Sequence, residues 1–430
     1  MGAGSTTTRS RLRAGILEFE EDIGPGVVTG AADDDPSGIA TYSQAGAQFG
    51  YGLLWTMILT YPLMAAVQLV SAHIGRVTGG GLARNLVRIF PHPVVSLLVT
   101  ILLIANIFNI GADLSAMAAA AQLVGGGSSH ILVIIIALAC VLLQVFVPYR
   151  QYSNVLKWLT LSLFAYVGVV LLVHIDWRQA LRGMFVPTDL GKGALLTVVA
   201  VFGTTISPYL FFWQSSQEAE EVATTGQGAL KDVPIAVRRQ YRRIRFDTLF
   251  GMALSNLIAL AIMLATAATL HARGVTNIGS AADAAQALEP IAGRFAFLLF
   301  AVGIIGTGLL AVPVLAGSAA FAVSETHGWN AGLEYKPREA ARFYGIIAGA
   351  TFIGVALDWS SLNPIKALFW SAVLNGVAAV PIMAAMMLVA SSRSIMGHLH
   401  ERRLLLTFGW GATIVMALAS AALLVSSFSS

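Results

Sequence analysis

The sequence predicts an all-α polytopic membrane protein of about eleven spans, built as two inverted five-helix repeats with the first and sixth helices broken, plus one added helix. Three observations predict it. Of 430 residues, 57% are hydrophobic and only 11% charged, where a soluble domain carries about 25% charged residues. Apolar runs of about 20 residues, the length that crosses a hydrocarbon core, recur with turn residues between them. The first and sixth runs are each interrupted by a proline among polar residues, at Asp33-Asp34-Asp35-Pro36 and at Gly203-Thr204-Thr205-Ile206-Ser207-Pro208-Tyr209. Discontinuous helices at corresponding positions of two halves are the mark of inverted-repeat membrane folds.

Residues 1–22 read as a short amphipathic lead-in, with Arg9, Arg11 and Arg13 followed by Glu18, Glu20, Glu21 and Asp22. They lack the apolar core and small-residue cleavage site of a signal peptide. The first repeat covers 23–174, with spans at 23–49 (broken), 51–75, 95–123, 130–148 and 153–174. Gly79-Gly80-Gly81 and Gly125-Gly126-Gly127-Ser128-Ser129 mark turns between them. The second repeat covers 193–390, with spans at 193–224 (broken), 246–271, 294–324, 341–357 and 365–390, the last preceded by Asn363-Pro364. Gly303, Gly306, Gly308 and Gly317 make the eighth span small-faced, which close helix packing explains. The added helix covers 404–426.

Orientation follows from the basic residues, which concentrate in cytoplasmic loops. With the N-terminus inside, the inner segments hold twenty of the 26 Lys and Arg, including the 238–245 cluster, read as a topology anchor. Eleven spans then place the C-terminus outside a cell (inner) membrane. The formal charge of +4 needs no nucleic acid, and no obligatory protein partner is implied. Cys140 is the single cysteine, so there is no disulfide framework and no zinc cluster. No Walker motif or nucleophile arrangement is present, so the chain reads as neither an ATP-driven pump nor an enzyme and carries no cofactor.

The aspartate triplet is the most informative feature. Carboxylates at membrane depth are costly and persist where they line a polar pathway. Pro36 removes a backbone donor and biases Asp35 away from helical angles. A broken helix frees carbonyls that can face a cation. Asp35 is therefore the leading ligand candidate, with Asp33 and Asp34 lining the vestibule or neighbouring the ion. Asp33-x-Asp35-x-Ser37-Gly38 resembles half of a calcium loop. Pro36, Gln44 in place of the closing glutamate, and the apolar flanks argue against that reading.

In the third span Asn106, Asn109 and Asp113 share one helix face. Asp113 fits either a hydrogen bond between helices or the ion path. Asn375 in the tenth span is open to the same two readings. Gln214, Gln217 and Glu218 follow the second break and are expected to face an inner vestibule; His73 fits an interfacial hydrogen bond or a titrating group.

Several blocks resemble the NRAMP family of divalent-metal transporters. Gly24-Pro25-Gly26, Asp35-Pro36-Ser37-Gly38 and Gln44-Ala45-Gly46-Ala47-Gln48-Phe49-Gly50-Tyr51 are similar to the family's first span, where DPGN precedes QAGAQFGY. Val77-Thr78-Gly79 and Ser394-Ile395-Met396-Gly397 look like the loops after its second and tenth helices. The resemblance implies a LeuT-like fold of the APC superfamily and alternating access around a midplane metal site. Asp35 stands where the family keeps its aspartate, while Gly38 replaces the asparagine ligand. Ser207-Pro208-Tyr209 stands where the family has MPH, so the methionine and histidine are gone. Asp113 matches a third-span aspartate, with Ala116 in place of the carboxylate that follows.

These departures have a direction. A methionine sulfur favours softer metals, and Ser207 leaves an oxygen-only set. Magnesium dehydrates reluctantly and keeps several waters, which a roomier pocket accommodates. The pattern resembles the NRAMP-related magnesium transporters, a branch that works without proton coupling. The expected cargo is Mg2+, with Mn2+ second, bound by Asp35, Ser207 and the carbonyls near Asp33, Asp34 and Ile206, beside Gly38. Tyr209, Asp113, Asn375 and Gln214 are weaker pathway residues. The alternatives are a proton-coupled Mn2+ or Fe2+ transporter, a transporter of amines or other organic solutes on the same architecture, and a metal sensor.

Overall fold

The computed structural model describes residues 25–147, 161–189, 191–226, 228–232, 237–360 and 362–428. In chain order the spans are α1 (Pro25–Asp33) with α2 (Pro36–Phe49), α3 (Trp55–Thr78), α4 (His92–Gly125), α5 (Ser129–Phe146), α6 (Phe164–Leu172), α7 (Lys192–Thr205) with α8 (Pro208–Thr225), α9 (Val237–Thr269), α10 (Ala296–Thr326), α11 (Ala341–Ala356), α12 (Pro364–Ser391) and α13 (Arg403–Phe428). Nine helical segments among the described residues are long and apolar enough to cross a bilayer. The first span is not one of them because of its three aspartates, and residues 153–160 of the expected fifth span, like the lead-in 1–22, lie outside the described residues.

Both breaks have the same local cause. Asp35 and Ser207 each precede a proline, which disfavours helical angles in the residue before it. Asp35 adopts φ −70°, ψ 168° and Ser207 φ −80°, ψ 130°. Pro36 and Pro208 then open α2 and α8, a position where the N–H has no intrahelical partner to lose. Asp35 caps α2, its side chain accepting from the Gly38 N–H.

The pairing of helices follows the two-repeat plan. The first span packs on the seventh (α1 and α2 on α9), the sixth on the second (α8 on α3), and the third on the eighth (α4 on α10). Exchanging the repeats converts the first pairing into the second and maps the third onto itself. The apolar stretches of α3 and of α7–α8 are 78% and 89% buried, those of α5 and α13 only 28%. The broken sixth helix is therefore core, and α5 and α13 form an outer rim.

Helix α9 already covers Val237 onward, so the basic 238–245 cluster, read as a topology anchor, is helical. Arg243 turns inward. Its guanidinium donates to both oxygens of Glu221, at 2.5 and 2.9 Å, and to Glu218 at 3.2 Å. Arginine favours helix and keeps its charge when buried beside carboxylates, which explains both the earlier start and the inward turn.

Candidate functional site

The two breaks face each other and are tied by crossed tyrosines. Tyr209, in the first turn of α8, donates its hydroxyl to the Ala32 carbonyl of α1 at 3.0 Å. Tyr42 of α2 pairs with the Thr205 hydroxyl at the end of α7, 3.1 Å away. Each tyrosine thus reaches from the second half of one broken span to the first half of the other. Between them lies Gly38. A Cβ there would sit 3.2 Å from Thr204 Oγ1 and from the Tyr42 ring, and 3.4 Å from the Asp33 carbonyl oxygen.

Asp33, Asp34 and Asp35 are all buried, yet they diverge. Asp35 turns toward α4: one oxygen accepts from the Gly38 N–H at 2.6 Å, the other from Asn109 Nδ2 at 3.3 Å. Asn109 Oδ1 lies 2.9 Å from the Ser371 hydroxyl of α12, which also lies 3.2 Å from Ser37. Asp33 and Asp34 turn toward α9, where the Ser255 hydroxyl reaches Asp33 Oδ2 at 2.6 Å and Asp34 Oδ1 at 3.1 Å. The remaining oxygen of Asp33 is buried with no hydrogen-bond partner. Asp113, one turn beyond Asn109, is buried with neither oxygen in hydrogen-bond geometry, although the Ser37 N–H and the Asp35 charge approach it.

No ion pair joins any of these four carboxylates to Lys, Arg or His among the described residues. Buried carboxylates are stable when a counter-charge and hydrogen bonds meet them. Donors meet Asp33, Asp34 and Asp35 in part, and a counter-charge meets none. No three His, Cys, Asp or Glu side chains among the described residues converge on one point. The arrangement offers a cation one or two carboxylate oxygens at a time, completed by neutral oxygens.

The second wall is neutral. The Ser207 hydroxyl is directed back into α7, within 2.7 Å of the Gly203 carbonyl and 2.8 Å of the Thr204 carbonyl. The Ile206 carbonyl lies between the two helices, α7 ending at Thr205 and α8 starting at Pro208. Gln214 does not face a vestibule: it is buried and donates to Thr248 of α9 at 3.0 Å. Glu218 is likewise buried, against Arg243, whereas Gln217 is part-buried beside Glu220. Asn375 is buried on α12 with its Oδ1 unpartnered. The tenth-span residue that joins the site's hydrogen bonds is Ser371, one turn earlier. Asn106 ties α4 to α10 through the Leu315 carbonyl and Ser318. His73 lies 2.7 Å from buried Glu401 and stacks on Tyr241, away from the breaks.

Sequence reasoning missed Ser255, Ser371 and Tyr42, and named Thr204 only as part of the second break. Only Ser255 carried a signal, as a hydroxyl two turns beyond Asp247 in an apolar run.

Comparison with known proteins places this geometry. A family model described as natural resistance-associated macrophage protein-like (Nramp) matches residues 26–426. The divalent metal cation transporter MntH of Deinococcus radiodurans is 26% identical over 424 residues, 97% of this chain and 92% of that protein. The transporter of the same name from Yersinia pestis is 29% identical over 321 residues, 73% of this chain and 74% of its own. Among solved structures, the manganese transporter of Eremococcus coleocola superposes with a TM-score of 0.75 at 18% identity, over 92% of this chain and 84% of that one. A Na+-coupled sialic acid symporter superposes at 0.59 with 12% identity, over 93% of this chain and 88% of its own. These likenesses show the fold: an all-helical, two-repeat membrane architecture with broken first and sixth helices.

Proposed function

The chain belongs to the Nramp family, a family of transporters, and from that premise we propose that it carries divalent metal cations across a cell membrane, Mg2+ first and Mn2+ second, without coupled protons. The observation that carries the reading is the group of four buried carboxylates, three at the first break and Asp113 on α4, with no basic partner among the described residues. Such a group attracts cations and repels carboxylate solutes. Asp35 supplies the main charge; Ser207, Gly38 and the carbonyls of Asp33, Asp34 and Ile206 surround the ion. Asp33 and Asp34 add charge from the side facing α9, and Asp113 from α4.

The preference for magnesium rests on what the walls are made of. Among the described residues, the side chains that hydrogen-bond at the two breaks offer oxygen or nitrogen and none offers sulfur, so nothing there favours a soft metal over a hard one. Gly38 lets Thr204, the Tyr42 ring and the Asp33 carbonyl close in on the α2 backbone, so no side chain from this position occupies the region of the breaks. With fewer side-chain ligands at the breaks, a partly hydrated Mg2+ suits the site, because it keeps several of its waters. Proton coupling lacks two of its family parts, since Tyr209 and Ala116 stand where a histidine and a carboxylate are found in the resembling pattern.

Transport by alternating access rocks one set of helices against the other around the breaks. With the N-terminus inside and the C-terminus outside, an interior-negative potential favours entry by about 2.3 kcal/mol per charge per 100 mV. The test is flux of Mg2+ and Mn2+ into liposomes holding wild type or Asp35→Ala, with a pH probe trapped inside. The reading requires flux in wild type, its loss in the variant, and no metal-driven acidification. Equal flux in both proteins would remove Asp35 from the site. Acidification with metal entry would favour the proton-coupled Mn2+ or Fe2+ reading instead.

A further inference from the structure

One face of α9 follows α1 along its whole length. Asp247, Gly251 and Ser255 are four residues apart, so they stack on a single stripe of the helix. Asp247 accepts from the Gly26 N–H at 2.6 Å and the Val27 N–H at 3.1 Å, which places a carboxylate on the positive end of α1. Gly251 meets Gly30 backbone to backbone: a Cβ added to Gly30 would lie 2.8 Å from the Gly251 Cα. Ser255 reaches the last residue of α1, Asp33, and its neighbour Asp34. Three contacts thus hold a nine-residue half-helix against α9 at its start, middle and end, while Tyr209 of α8 separately holds the Ala32 carbonyl. Its only described covalent link to the rest of the protein runs through the extended Asp35.

The three contacts differ in what can undo them. The Asp247 cap and the glycine contact involve no group at the break. The Ser255 contact involves two carboxylates of the proposed cation site. Its single hydroxyl proton serves the closer of the two at any moment. A divalent cation attracts a carboxylate far more strongly than a neutral hydroxyl does, and the partnerless oxygen of Asp33 already offers it a point of entry.

We propose that Ser255 is the positioning residue that couples cation binding to the release of α1 from α9: its hydroxyl holds the end of the half-helix while the site is empty, and a cation that draws Asp33 and Asp34 onto itself removes that hold. The release half of this statement rests on the transport reading above. The hold does not. Ser255 touches no ion in this scheme; it acts through the two aspartates.

The experiment reads exposure of the α1 surface. Thr29 of α1 is fully buried, and Cys140 is the chain's single cysteine. Full-length Thr29→Cys in a Cys140→Ala background is placed in liposomes and labelled with a membrane-impermeant maleimide, without metal and with Mg2+ or Mn2+. The same is done after adding Ser255→Ala or Ser255→Thr. Wild-type Ser255 is expected to label slowly without metal and faster with it. Ser255→Ala is expected to label about tenfold faster without metal, the factor that loss of a hydrogen bond to a charged group gives, and to gain little more from metal. Ser255→Thr, which keeps the hydroxyl, should restore the wild-type pattern. If Ser255→Ala labels like wild type in both conditions, or if Ser255→Thr behaves like Ser255→Ala, the proposal is overturned, the second result assigning the effect to packing. Flux measured in parallel separates the two readings. Wild type without cation flux overturns the transport reading, whereas wild type with flux but metal-insensitive labelling overturns the role of Ser255 alone.

Discussion

The two breaks share a backbone design and differ in chemistry. Each has an extended residue, then a proline, then a new helix. The first break carries three consecutive carboxylates, whose oxygens are shared among α4, α9 and the start of α2. The second carries no charge, only hydroxyls, of which Ser207 spends its proton on its own helix. One wall therefore supplies charge, and the other supplies shape and neutral oxygens. Under the proposed magnesium reading, the first wall would anchor an ion that keeps part of its water, and the second would add few rigid ligands. A stripped transition metal needs ligands from both walls.

Four substitutions break or sharpen this contrast. Asp35→Ala removes the anchor and the α2 cap together. Flux of Mg2+ and Mn2+ is expected to fall by more than about 100-fold, beyond the 10- to 100-fold typical of losing an outer-shell partner. The cap itself is worth only about 1 kcal/mol, so a thermal melt should show a folded protein. Asn109→Ala leaves the carboxylate but removes its α4 donor. A loss of about 10-fold in apparent metal affinity is expected, read by calorimetry, with little change in maximal flux.

Ser207→Met gives the neutral wall a soft ligand. Affinity for Mn2+ or Cd2+ relative to Mg2+ is expected to rise by about 10-fold, or 1.4 kcal/mol. Calorimetry showing no shift would mean that the second wall does not touch the ion. Ser207→Ala is the smallest change. Because the hydroxyl is directed into α7, Mg2+ flux should stay within about twofold and stability should fall by about 1 kcal/mol. A large flux defect would show that Ser207 turns toward the ion during transport.

Particular residues show why some of this was legible in sequence. Pro36 and Pro208 act on their immediate neighbours, so the breaks and the extended Asp35 and Ser207 follow from local sterics alone. The apolar run lengths follow from bilayer thickness. The start of α9 did not follow: the inward turn of Arg243 depends on Glu218 and Glu221, on another helix. Ser255 and Ser371 are ordinary hydroxyls in apolar runs, and nothing in their neighbourhood along the chain names Asp33, Asp34 or Asn109 as partners. Asn375 carried the stronger sequence signal and Ser371 makes the contact, a difference of one helical turn that only the packing of α12 fixes.

The sequence by itself determined the class of the protein, the positions of both breaks and the presence of buried charge, because span length, proline sterics and the cost of intramembrane carboxylates are local or compositional properties. Only the tertiary structure decided how that charge is divided. Asp33 and Asp34 go to α9 and Asp35 goes to α4 because the extended link at Asp35 reverses the direction of consecutive side chains. The partner on α4 is 74 residues away and the one on α9 more than two hundred. A contact of that separation is set by how the repeats pack, and no window of the sequence contains it.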